Sequence, residues 1–193
     1  MTRVFLTLAR FAAILGGIVL TFLILLTVVS VVGRALNTLM HGMIDAGLLP
    51  GLAQQVLDAG VGPVLGDFEI VEAGIAFSIF AFLPLAQISG SHATVDILTS
   101  QLSGRINRLL SAVWEVVFAA ALIVIAWKLY EGMAGKMRYN ETTMLLQFPV
   151  WWAYAASLAG ACVAAVVSVY VALARVAETI TGRPFLTVEG AAH

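Results

Sequence analysis

Apolar positions fall into four long runs, at about residues 5–32, 68–89, 106–130 and 148–174, and nearly all charged side chains sit at the ends of those runs. A helix rises 1.5 Å per residue, so about 20 apolar residues cross a hydrocarbon core of about 30 Å. Each run reaches that length. The pattern predicts four transmembrane helices, an all-α integral membrane fold with short interfacial helices in its connections. Residues 1–193 read as a single four-helix membrane domain, with 176–193 as a cytoplasmic tail after Arg175. Arg3 and Arg10 ahead of the first run resemble a signal peptide. The run from Phe11 to Val32 exceeds the roughly 7–15 residues of a signal's apolar region, so it reads as a retained span.

Composition agrees with this reading: 61% of residues are hydrophobic and 11% charged, outside the range of soluble domains. The net charge of -1 comes without a basic tract, which argues against a nucleic-acid partner. Cys162, the only cysteine, lies inside the fourth run and reads as a small packing residue, so neither an internal disulfide nor a cysteine metal site is available. Hairpin alternation puts the amino terminus, the turn near 90–106 and the carboxyl terminus on one face. That face carries Arg3, Arg10, Arg105, Arg108, Arg175 and Arg183, against Arg34, Lys128, Lys136 and Arg138 on the other. The positive-inside rule then predicts that both termini are cytoplasmic.

The 34–66 connection contains Gly42, Gly47, Gly51, Gly60, Gly62 and Gly66 with Pro50 and Pro63. Within it Leu52, Val56 and Leu57 share one face of a short helix suited to the outer interface; an irregular loop is the alternative. The fourth run opens Phe148-Pro149-Val150-Trp151-Trp152-Ala153-Tyr154, with proline placed in a first helical turn. Trp127, Tyr130, Trp151, Trp152 and Tyr154 are expected to anchor at the headgroup level, where amphipathic rings are favoured.

Charges inside a membrane are costly, so each is a candidate for function. Arg34, Glu69, Glu72, Lys128 and Glu131 cluster near the outer ends and suggest one layer of paired charges joining three helices. Glu69 and Gln87 are eighteen residues apart, five helical turns, and with Glu72 they form one polar stripe on a helix that Pro84 is expected to kink. Glu72 reads as a structural ion pair or a contact to another subunit; a proton or cation site is the sharper alternative. Glu115 lies one heptad after Arg108 and is expected to pair with Arg108 or Arg105, or else to contact another helix. Ala156, Gly160, Ala164, Ser168 and Ala172 recur every four residues, a small-residue stripe that permits close helix approach, within the chain or to a partner.

Catalysis has little to rest on. His41, His92 and His193 do not fall in facing spans, as a membrane haem site needs, and no nucleophile triad, zinc spacing or phosphate loop stands out. The chain reads as a non-enzyme without a cofactor of its own. A small membrane redox anchor, or a stand-alone four-helix channel or exporter lined by Glu69 and Glu72, are the rival readings.

At the second turn, Gly90-Ser91-His92-Ala93-Thr94-Val95-Asp96-Ile97-Leu98 resembles the G-x-H-x-x-V-D-x-L segment of the small membrane subunit of tripartite ATP-independent periplasmic (TRAP) transporters, the DctQ-like family. Gly33-Arg34-Ala35-Leu36-Asn37 is similar to the family's Arg and Asn after the first span. Thr143 through Leu146, Pro149, Trp151 and Tyr154 are similar to its T-x-x-L-x-x-P-x-W-x-x-Y pattern. Thr94 departs from the basic residue often found there, and the 34–66 connection is longer than the family suggests. The resemblance implies a multi-pass protein of a bacterial or archaeal cytoplasmic (inner) membrane. Its partners would be a large membrane subunit and a periplasmic substrate-binding protein, with membrane lipids around it. It implies sodium-coupled uptake of an organic anion, carboxylate or sialic-acid-like, with the sodium and substrate sites on the large subunit. In the turn, Asp96 is suited to cap a short interfacial helix and His92 to bond a neighbour, either fixing the hairpin or contacting the large subunit.

Overall fold

Every apolar run becomes part of a helix, and the helices outlast the runs. A computed structural model of the chain describes residues 2–89 and 104–181. It contains α1 (Thr2–Asp45), α2 (Pro50–Asp58), α3 (Asp67–Ser89), α4 (Gly104–Arg138) and α5 (Trp151–Thr181). All but α2 are long and apolar enough to cross a membrane. Among the described residues there is no strand, only an isolated bridge between Thr142 and Pro149.

The extra length has a simple cause. Apolar composition ends at Val32, but Ala35, Leu36, Leu39, Met40 and Met43 are good helix formers and no proline intervenes before Pro50. The helix therefore continues to Asp45 and stops where Gly47 takes a left-handed φ of 69°. The connection after α1 is correspondingly shorter than expected, residues 46–66. At 44 residues α1 is about 66 Å long, well beyond the ~40–45 Å of a bilayer with its headgroups. In the same way α4 passes Tyr130 and reaches Arg138, ahead of Asn140 at φ 48°. The expected tail after Arg175 is instead helix to Thr181, and α5 begins at Trp151 because Pro149 and Val150 belong to the preceding turn.

The four long helices pack in a row: α1 on α3, α3 on α5, α5 on α4, with a lighter contact between α1 and α5. Along the first three-quarters of α1 the buried positions are Ala9, Gly16, Leu23 and Ser30, one every seven residues, and Met40 is buried further on. A strict heptad marks a narrow seam followed by left-handed supercoiling. On α5, Ser157, Ala161, Ala164, Ser168 and Val171 alternate steps of four and three, the same period.

Three helices of the row come close together around Ala81 of α3, which is 1% exposed. A Cβ on Gly16 of α1 would lie 2.9 Å from the Ala81 Cβ, and a Cβ on Gly160 of α5 would lie 3.0 Å from the Phe80 Cβ and 3.4 Å from the Ala81 nitrogen. Ser78 Oγ donates to the carbonyls of Gly74 (2.9 Å) and Gly16 (3.3 Å), tying α3 to α1 at this level. Lipid supplies no hydrophobic drive for helix association, so van der Waals contact through small residues and such hydrogen bonds must supply it.

The small-residue stripe on α5 thus meets helices of its own chain. Gly160, Ala164, Ser168 and Ala172 are buried, whereas Ala156 is exposed. Ala164 and Ala165 pack with Leu122 of α4 and Leu83 of α3, and Val167 and Val171 pack with Phe5 and Ile88. Phe5 stacks on Tyr170 at 4.2 Å. Cys162 corrects its expected role: it is exposed, on the side of α5 away from this packing. Pro84 lies buried inside α3, which remains helical through Ser89. The short helix α2 forms, with Pro50 in its first turn, but its buried residue is Ala53 and Leu52 points outward at 54% exposure. The expected apolar face is rotated accordingly.

Two kinds of glycine on α1 and α5 separate close packing from mere permissiveness. Gly16→Leu or Gly160→Leu is expected to destabilise the purified chain by about 1–3 kcal/mol or more through overpacking. Gly17→Ala, whose Cβ would meet nothing within 4 Å, is expected to leave it unchanged or slightly more stable. Thermal unfolding in detergent measures the difference.

Candidate functional site

Side chains at the face carrying the 46–66 and 139–150 connections, here the loop face, act mainly on backbone. Ser30 of α1 donates to Asp67 Oδ2 at 2.5 Å and accepts the N–H of Val64 at 3.2 Å. Asp67 Oδ1 accepts the N–H of Phe68 at 2.8 Å in the first turn of α3, where the helix dipole favours a carboxylate. Asn37 donates to the Val61 carbonyl at 3.0 Å. Gly33 lies against the Gly62 carbonyl, where any Cβ would overlap it. Together these pin residues 61–67 along α1.

Arg34 reaches Asp67 at 3.8 Å with its side chain 65% exposed, a contact worth little by itself. Glu69 accepts the N–H groups of Leu145 (2.7 Å) and Leu146 (2.9 Å), joining α3 to the turn before α5. That turn is further held by Lys136 on Glu141 at 2.5 Å and by Val150 N–H on the Glu141 carbonyl at 3.0 Å. Lys128 pairs with Glu131 on its own helix at 2.7 Å, and Glu72 is exposed, with no partner among the described residues. The expected layer of charges joining three helices is therefore corrected. Of the residues expected in that layer, and among the described residues, only Arg34 makes an ion pair across elements, with Asp67, while Glu69 serves backbone donors and Lys128 a neighbour one turn away.

Deeper, Gln87 of α3 is 1% exposed and donates its amide to Glu115 of half-buried α4 position. Glu115 thus contacts another helix, and its expected partner Arg108 is elsewhere. The polar stripe on α3 also divides, since Gln87 and Glu69 turn toward neighbouring elements and Glu72 turns outward. Asp67 and Ser30 were not singled out from sequence. The available signal was an acidic residue at a helix start and a hydroxyl one turn before Arg34.

At the opposite end Arg175 bonds Glu178 at 2.9 Å and Thr179 Oγ1 donates to the Arg108 carbonyl at 3.4 Å. Trp127, Tyr130 and Trp152 are 63%, 57% and 54% exposed, and Trp151 and Tyr154 are half-buried, Tyr154 against Gly132. His92 and Asp96 lie outside the described residues. Among the described residues no group of three His, Cys, Asp or Glu is placed to hold a metal ion.

Residues 52–179 match the family model of the tripartite ATP-independent periplasmic transporters, DctQ component. The chain belongs to the DctQ family. Neither comparison with curated proteins nor comparison with solved structures gives a match. The DctQ match spans α2 through Thr179 of α5, so it contains Glu69, Gln87, Glu115 and Gly160, while α1 with Ser30 and Arg34 lies ahead of it. As a DctQ component the chain is part of a transporter that is built from several proteins.

Two outcomes follow from this geometry. Glu69→Ala is expected to speed amide exchange at Leu145 and Leu146 several-fold, with Glu72→Ala unchanged, read by hydrogen exchange and mass spectrometry. Gln87→Leu leaves a carboxylate without its donor and is expected to cost about 1–3 kcal/mol, most of it recovered in the double variant Gln87→Leu/Glu115→Leu. Thermal unfolding of the two single variants and the double variant measures this coupling.

Proposed function

We propose that this chain is the non-catalytic scaffold of its transporter. It binds the large membrane subunit and steadies it during sodium-coupled, binding-protein-dependent uptake of an organic anion such as a carboxylate or a sialic acid. Membership of the DctQ family supports the assignment to the small permease component. The observation that carries the scaffold reading is the use made of polar side chains. Gln87 and Glu115 bond each other, Ser78 bonds two carbonyls, and Asp67 and Glu69 hold connections. Groups engaged in this way join elements of the chain. A translocation path would need them turned toward a common lumen.

The surfaces left over suit a partner in the membrane. Phe11, Ile14, Ile18, Phe22, Leu25 and Val29 of α1 are each more than half exposed and apolar. The large subunit would cover part of such a face, lipid the remainder. The arginine distribution supports an inner-membrane orientation with both termini cytoplasmic.

Deleting the chain is expected to reduce uptake to background while leaving the affinity of the isolated binding protein for its substrate unchanged. Transport assays in cells lacking only this chain, with the large subunit quantified by immunoblot, test it. Uptake at normal rate with normal abundance of the large subunit would defeat the proposal.

A further inference from the structure

Between the first turns of α4 and the last turns of α5 lies a polar cleft of about 210 Å³, lined by Asn107, Arg108, Ser111, Arg175, Glu178 and Thr179. Its depth follows from helix length. Arg175 is 24 residues beyond Trp151, about 36 Å along α5, which exceeds the ~30 Å core and falls within the ~40–45 Å of a complete bilayer. With Trp151 and Trp152 at one interface, the cleft lies in the headgroup layer of the other. Thr179 Oγ1, bonded to the Arg175 carbonyl at 2.9 Å, also reaches the Arg108 carbonyl at 3.4 Å, which places Arg108 at the same level.

The charges in the cleft are unequal. Two guanidinium groups line it with one carboxylate, Glu178, which is 8% exposed and already bonded by Arg175 at 2.9 Å, while Glu115 deeper on α4 also acts on Arg175, so the uncompensated charge is that of Arg108. A guanidinium has five N–H donors, so that bond leaves Arg175 with capacity to spare. Arg108 is exposed and has no carboxylate within 4.0 Å among the described residues. Among the described residues the Asn107 amide and the Ser111 hydroxyl have no hydrogen bond, so the cleft gathers an amide, a hydroxyl and two cations beside a single lining carboxylate. The planar fork of arginine fits the paired oxygens of phosphate, and neutral N–H and O–H donors complete the coordination of a tetrahedral oxyanion.

We infer that this cleft binds a phosphate group at the membrane surface, with Arg108 as its principal charge partner, Arg175 as the second, and Asn107 and Ser111 as neutral donors. At headgroup depth the expected source is an anionic phospholipid. Free phosphate has the same chemistry and is distinguished below. The inference rests on the membrane placement of the helices and is independent of the scaffold reading, which uptake assays test separately.

The full chain, reconstituted in vesicles of phosphatidylglycerol in phosphatidylethanolamine and re-extracted in mild detergent, is assayed for retained lipid by mass spectrometry. Wild type is expected to retain phosphatidylglycerol above its share of the vesicle. Arg108→Gln is expected to lower that retention about fivefold, the contribution of one arginine at an anionic surface. Arg108→Lys, which keeps the charge without the fork, should fall between wild type and Arg108→Gln, and Ser111→Phe, which fills the cleft and leaves both arginines, should lose it as Arg108→Gln does. Arg34→Gln, at the opposite face, should match wild type. Displacement of the lipid by millimolar inorganic phosphate would identify free phosphate as an equal occupant of the same site; no displacement assigns the site to the lipid. Equal retention in wild type, Arg108→Gln and Ser111→Phe would overturn the inference.

Discussion

The close approach of three helices around Ala81 governs the rest of this bundle. In water a core can be assembled from large side chains because burial itself is favourable; in lipid the tails are as apolar as leucine, and contact has to be made through atoms that fit closely. Gly16, Ala81 and Gly160 meet that demand at a single level, with α3 flanked on both sides. Because α3 is held from two directions, its rotation and its depth are both set there. The Gln87 and Glu115 bond six residues below Ala81, and the Ser30 and Asp67 bond at the helix start, depend on that setting.

The polar groups divide by depth into two tasks. Near the loop face, Asp67 and Glu69 accept backbone N–H groups, so each carboxylate fixes the path of a connection. Within the apolar layer, Gln87 joins α3 to α4, two helices that otherwise touch very little because α5 lies between them. An amide suits this position, since it satisfies a carboxylate without bringing a second charge out of water. The cost of an ion pair at that depth would be larger on both sides.

The spans were legible in the sequence because the hydrocarbon layer selects for length and composition, both readable in one dimension. Their ends were not. Helix propensity continues through Leu36, Leu39 and Met40 after hydrophobicity has fallen, and the stop is set by Gly47. The stripe containing Gly160 and Ala164 was visible as a period, but the identity of the facing helix depends on the α1–α3–α5–α4 order, which no local pattern encodes. Glu115 shows the same limit. Heptad spacing pointed to Arg108 on its own helix, yet Arg108 lies in the first turns of α4 where water and headgroups compete for it, whereas Gln87 lies across from Glu115 at matching depth. Asp67 was passed over because it reads as a loop residue until Ser30 is brought beside it.

The longest helix is also among the least enclosed, and its attachment explains how that is possible. In α1 the most apolar window is 17% buried, against 50% in α5. A heptad seam occupies one narrow face of a helix, leaving the remaining circumference free without weakening the contact that holds it. Beyond the seam, residues 33–45 would extend about 20 Å as an unsupported lever if only helix propensity maintained them. They are braced instead by the 61–67 segment, through Asn37 on Val61 and Gly33 against Gly62, and by α2 packing back through Ala53, with Met40 buried. On the scaffold reading, the bundle of α3, α4 and α5 supplies rigidity, and α1 carries that rigidity outward on an apolar face wide enough for another membrane protein.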